Sequence, residues 1–122
     1  MSTRSCTELY EVREYQGTVK ERVVALYRHC DGYPSVAGAC LLEALAKSKS
    51  PTDVAASLLS HSYEATTYRP AQLIYELTTA ADDHGDLEHT YKVWKTPTGW
   101  RIDHNGTEYS PEEFAKIVSA DQ

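Results

Sequence analysis

Polar and apolar positions alternate with a period of two over the first quarter of the chain. Leu9, Val12 and Tyr15 recur among charged residues over positions 7–15, which reads as a strand. A second strand is predicted over positions 19–29. Val23, Ala25 and Tyr27 fall on one side of it, and Val24, Leu26 and Arg28 on the other. Gln16-Gly17 between the two runs is a turn signal, so together they predict an antiparallel hairpin. The period then lengthens. Val36, Cys40, Leu41, Ala44 and Leu45 recur at helical spacing up to Lys47, behind a proline at position 34. Ser50-Pro51-Thr52-Asp53 starts a second helix with a serine cap, a proline and a first-turn acid. Val54, Ala55, Leu58 and Leu59 form its apolar face, which fades near His61 to Glu64.

Positions 62–70 are polar and irregular and read as a loop. Positions 73–79 read as a strand, although Leu73, Ile74 and Leu77 also suit a helix. Positions 82–86, Asp-Asp-His-Gly-Asp, read as a hairpin tip. Positions 87–96 then alternate His89, Tyr91 and Val93 against Thr90, Lys92 and Trp94. Pro97-Thr98-Gly99 is a turn, and positions 100–103 form a further strand closed by Asn105-Gly106. Ser110-Pro111-Glu112-Glu113 combines a serine cap, a proline and a third-position glutamate. It opens a last helix with Phe114, Ile117 and Val118 on its apolar face. The Asp121-Gln122 tail is expected to fray. The order β-β-α-α-β-β-β-α predicts an α+β fold in one domain, residues 1–122. It is an antiparallel sheet of about five strands with the helices packed on one face.

Composition changes this picture only modestly. At 122 residues and 41% hydrophobic the chain can bury a single core without staples. Nine tyrosines against one phenylalanine give that core amphipathic edges, and tyrosine is also a residue of interfaces. The net charge of −6 argues against generic nucleic-acid binding and suits docking on a basic protein patch. No apolar run is long enough to span a membrane, and the first residues lack a signal-peptide core. Cys6, Cys30 and Cys40 have no paired spacing, which fits thiols in a reducing cytoplasm.

The densest chemistry lies in Tyr27-Arg28-His29-Cys30-Asp31-Gly32-Tyr33-Pro34, with Gly38 soon after. The candidate binding residues are Tyr27, Arg28, His29, Asp31 and Tyr33. Arginine holds phosphate or carboxylate bidentately, and a helix start adds a positive end. Turn chemistry accounts for part of the same segment: Asp31 as acceptor for amides at the helix start, Gly32 for a positive φ, Pro34 for the helix start. Arg28 and His29 are left over. His84 and His89 flank Asp86 and Glu88, but an exposed hairpin explains them without a metal. Trp94 and Trp100 read as packing beside a turn, and Lys92, Lys95 and Arg101 as a solvated basic spot. There is no phosphate loop, nucleophile elbow or zinc-protease motif. No catalytic residue, metal or cofactor is assigned.

The Tyr27–Pro34 segment resembles a signature of small phage- and prophage-encoded proteins, with Cys30 where an aromatic residue is usual. Gly85-Asp86-Leu87-Glu88-His89-Thr90-Tyr91 is similar to a second run in such proteins. The two cover a minor part of the chain and carry no catalytic residues. The resemblance implies a small accessory protein of a mobile element, acting in the cytoplasm of the host cell. The expected function is a non-enzymatic protein-binding inhibitor of bacterial defence, anti-CRISPR-like, that occludes a host protein. A homo-oligomer is left open. One alternative is a small-ligand or nucleotide-signal sponge using the Tyr27–Tyr33 segment. Another is a small hydrolase or transferase with His29 and Asp31 as acid and base.

Overall fold

The two long strands that the alternation predicts are present as β1 (Ser5–Glu14) and β2 (Thr18–Arg28), paired antiparallel in a hairpin. The computed structural model describes residues 3–14, 17–63, 67, 72–78 and 87–121. A bulge interrupts the hairpin. Leu9 pairs with Val24 but Tyr10 pairs with Arg22, so Val23 is the extra residue. The bulge shifts the side-chain parity of β2. Leu26 and Arg28 share one face with Val24, whereas Lys20 and Arg22 lie on the other face with Tyr10.

The remaining strands are β3 (Ser62–Tyr63), β4 (Gln72–Leu73), β5 (Tyr75–Thr78), β6 (His89–Thr96), β7 (Gly99–His104) and β8 (Thr107–Tyr109). The main sheet has six strands in the order β5-β2-β1-β6-β7-β8, and β3 pairs with β4 in a separate two-stranded ribbon. The α+β class stands, and the finer sheet expectation is corrected in three places. The sheet is mixed, because β1 and β6 run parallel through Ser5↔His89 to Leu9↔Val93. β5 and β6 do not form a hairpin: β5 pairs with β2, and β6 pairs with β1 and β7. The expected hairpin tip at 82–86 lies outside the described residues. β8 was not expected. Asn105 and Gly106, both at positive φ (50° and 96°), turn the chain straight back into it. Part of the expected loop at 62–70 is strand β3.

The helices are α1 (Ala39–Lys47), α2 (Pro51–Leu59) and α3 (Pro111–Ala120), all close to their expected limits. Ser50 caps α2 by accepting from the Asp53 amide. Ser110 and Glu113 form the complete capping box of α3. A π-helical turn, Pro34–Gly38, leads into α1. The helices cover one face of the sheet. The core there is Leu9, Leu26, Tyr75, Tyr91, Val93 and Ile102 from the sheet, and Leu41, Val54, Leu58 and Phe114 from the helices.

Two details correct the reading of the strand-to-helix junction. Asp31, not Gly32, takes the positive φ, at 56°. Gly32 is needed for room: a Cβ there would lie 2.7 Å from the Ser5 Cβ and 2.9 Å from the Arg4 carbonyl carbon. The helix start is satisfied from the far end of the chain, since the Ser35 amide donates to Asp121 at 2.9 Å. Asp121 is thus held rather than frayed. Ser5, beneath Gly32, has the one buried side-chain polar atom among the described residues without a hydrogen-bond partner. Ser5→Ala is expected to be neutral or to stabilise by up to about 1 kcal/mol, read by urea unfolding. A loss above about 1 kcal/mol would show that the hydroxyl has a partner.

Candidate functional site

Strand parity splits the Tyr27–Tyr33 segment between two environments. Tyr27 lies on the sheet face away from the helices, beside Cys6 and Glu76 in the register. Its hydroxyl is 3.4 Å from Nδ1 of the exposed His29, and the two rings meet edge to face. Asp31 accepts from the Tyr33 hydroxyl at 3.2 Å. The nearby Asp31 carboxylate pushes the Tyr33 hydroxyl pKa up. His29 and Asp31 therefore each pair with their own phenol.

Arg28 points the opposite way, into the core, where it is 3% exposed. Its Nε donates to the Cys30 carbonyl at 2.8 Å, and one terminal nitrogen donates to the Tyr75 hydroxyl at 3.3 Å. The guanidinium also lies over the Tyr75 ring, 5.2 Å from its centroid. The cation thus bridges the end of β2 to β5. No disulfide links Cys6, Cys30 or Cys40, and burial pushes the Cys6 thiol up to about 12.

The face of the sheet away from the helices carries a second group of polar and aromatic side chains. Glu8, only 4% exposed, accepts from Arg22 at 3.0 Å and from the Tyr10 hydroxyl at 3.2 Å. Burial, then Glu8, pushes the Tyr10 hydroxyl up to about 12. Lys20 sits 3.8 Å above the ring of Trp94, a cation–π contact. Lys92, Asp103 and Glu108 stand side by side across β6, β7 and β8. Tyr10, Lys20, Lys92, Trp94, Asp103 and Glu108 line an open cleft of about 280 Å³. Trp100 and Lys95 belong to the other face: Lys95 lies over the Trp100 ring and donates to the Lys49 carbonyl. The expected basic spot is therefore divided between two faces.

A third group is a histidine pair. Nδ1 of His89 and Nε2 of His104 are 2.8 Å apart, with the rings stacked against Tyr91 and edge-on to Phe114 at His104. Burial lowers the pKa of both; His89 lowers His104 further, while Asp121 pulls both upward. Among the described residues no group of three or more His, Cys, Asp or Glu side chains is placed to hold a metal ion. His84 and Asp86 lie outside the described residues. The unfolded chain takes protons on these imidazoles near about pH 6.5, while the folded chain resists them. The folded state then binds fewer protons, so stability is full above that pH and is lost as pH falls below it. The melting temperature is expected to drop between about pH 7.5 and about pH 5, and His104→Gln is expected to flatten that drop. An equal slope in both proteins would assign the acid sensitivity to other groups.

The fourth feature is an edge. β5 pairs with only the last part of β2, Ala25 to Arg28, and no described strand lies beyond residues 18–24 of β2. Among the described residues, the exposed large aliphatic side chains are Val19 (46%), Val23 (40%), Leu73 (59%) and Leu77 (66%). Val19 and Val23 lie on β2, Leu77 on β5 beside it, and Leu73 on β4 of the two-stranded ribbon. Sequence reasoning missed this edge, because β5 was assigned to a different neighbour. It also missed the cleft, which needs β1 and β2 residues beside those of β6 to β8. Among the described residues no helix is long and apolar enough to cross a membrane. Comparison with protein-family models, curated proteins and solved structures gives no match.

Proposed function

We propose that the chain is a non-enzymatic protein-binding inhibitor from a mobile element, anti-CRISPR-like, which occludes a surface of a bacterial defence protein in the host cytoplasm. The supporting observation is the concentration of exposed aliphatic side chains on the β2–β5 edge. Exposed apolar side chains along an unpaired stretch of strand are a feature of protein contact sites. Tyr27 and His29 flank it through the pairing of Tyr27 with Glu76. Asp31 and Tyr33 follow β2 in the chain and bond to each other, while Arg28 fixes β5 from beneath.

The partner we propose is a different protein. A second copy paired antiparallel along β2 through a two-fold axis at Lys20, Glu21 or Arg22 would set like charges opposite one another. The net charge of −6 steers the chain towards a basic partner. The test is phage plating on bacterial strains that each carry one defined defence system, with and without this chain. Relief of one system is expected, and Leu77→Lys with Val23→Lys is expected to remove it while the fold persists by circular dichroism. Relief of none, or relief untouched by the double substitution, would overturn the reading.

A further inference from the structure

The cleft on the helix-free face reaches from Lys20 of β2 across to Glu108 of β8 and has a chemistry of its own. Lys20 and Lys92 both line it, and among the described residues neither has a carboxylate within salt-bridge distance. Lys20 is steered by the Trp94 ring, and Tyr10 is held by its hydrogen bond to Glu8. The floor is therefore arranged before any ligand arrives, which lowers the ordering cost of binding.

The charge balance of the chain reverses here. Lys20, Lys92, Arg22 and Arg101 surround the cleft against Glu8, Asp103 and Glu108. Two of those carboxylates are already engaged by arginine, Glu8 by Arg22 and Glu108 by Arg101 at 2.8 Å. Lys20 and Lys92 then face one remaining carboxylate, Asp103, so the cleft keeps a net positive charge. Asp103 uses one oxygen on the Gly106 amide and Glu108 one on Arg101. Each keeps another oxygen able to accept from a ligand N–H. The remaining wall is the flat ring of Tyr10.

We propose that this cleft binds a small anion carrying a planar, amine-bearing ring, of the size of one nucleotide. The anionic group bridges Lys20 and Lys92, the ring lies against Tyr10, and its amine donates to Asp103 or Glu108. The open cleft of about 280 Å³ suits a mononucleotide or an aminoaryl carboxylate. This site shares β2 with the edge proposed for the protein partner, through Lys20, but none of the exposed aliphatic residues of that edge lines it. It is also distinct from the Tyr27–Tyr33 segment where the sequence placed nucleotide binding.

The test uses the full chain with Trp100→Phe, so that Trp94 is the one remaining tryptophan. Its emission is followed during titration with AMP, CMP, UMP, anthranilate and inorganic phosphate, with calorimetry alongside. A saturable change is expected with AMP and CMP or with anthranilate, and which of these it is distinguishes a nucleotide from an aryl carboxylate. Lys92→Ala is expected to weaken it at least tenfold. UMP, whose base has no exocyclic amine, is expected to bind several-fold more weakly than CMP, and Asp103→Asn with Glu108→Gln is expected to erase that difference. Leu77→Lys is expected to leave the binding unchanged, which separates it from the edge. Overturning results are no saturable change with any of the probes, binding indifferent to Lys92→Ala, or inorganic phosphate binding as tightly as AMP.

Discussion

Phe114→Ala is expected to destabilise the protein by about 3–5 kcal/mol, at the upper end of what a single core truncation does. Phe114 is fully buried and meets three aromatic rings, Tyr91, His104 and Tyr109, at centroid distances of 6.0, 6.1 and 6.0 Å. It also touches the π-helical turn: a Cβ on Gly38 would come within 3.1 Å of its ring and 2.9 Å of Val118. One side chain therefore holds α3 to β6, β7, β8 and the start of α1. Its removal leaves a cavity under a helix that the capping box has already rigidified, so collapse into the space is limited. At about 4 °C per kcal/mol for a domain of this size, the melting temperature should fall by roughly 12–20 °C. A fall of only a few degrees would mean that α3 is held chiefly by its ends, by the capping box and by Asp121.

Arg28→Ala is expected to cost about 3 kcal/mol, with most of the loss in the contact between β2 and β5. The substitution removes the stem packed in the core and leaves the Cys30 carbonyl and the Tyr75 hydroxyl without their donor. A buried cation without a carboxylate is costly to keep, so its place depends on these bonds and on the Tyr75 ring. Arg28→Met with Tyr75→Phe, which removes both polar partners and keeps their volume, should recover part of the loss. Urea unfolding of the single and double variants gives the comparison. A loss below about 1 kcal/mol for Arg28→Ala would show that the guanidinium is not integral to the core.

Alternation along a strand sets the face of a residue but not its neighbour. Leu26 and Arg28 fall together on one side in the sequence and together in the core in the fold. The burial of Arg28 was thus legible in its parity, and its charge was the misleading signal. The β6 alternation separated His89, Tyr91 and Val93 from Thr90, Lys92 and Trp94, and the fold turns the first set to the helices and the second to the bare face. The parallel join of β1 to β6 left no local trace, because no turn connects them. The Val23 bulge was equally silent, since an extra residue shows only against a partner strand. The caps of α2 and α3 were fully legible, because each is a contact within four residues. The tie from Asp121 to Ser35 spans nearly the whole chain and could not be read locally. For the candidate site, the Tyr27–His29 and Asp31–Tyr33 pairs follow from close spacing. The cleft draws on five strands and emerges only when the sheet is assembled.

The parallel pairing of β1 with β6 also bears on how the molecule comes into being. Ser5, made first, finds its place against His89, made when most of the chain already exists. The central seam of the sheet therefore closes late, after loop-closure entropy has been met over the longest span in the sheet. Until then the inner edge of β1 stands open on the growing chain, with Cys6, Leu9 and the carboxylate of Glu8 exposed to whatever strand arrives. An edge that stays open is exposed to mispairing, and a charged residue such as Glu8 on it disfavours a wrong neighbour. The half-buried Glu8–Arg22 pair then covers this seam on the bare face of the finished sheet.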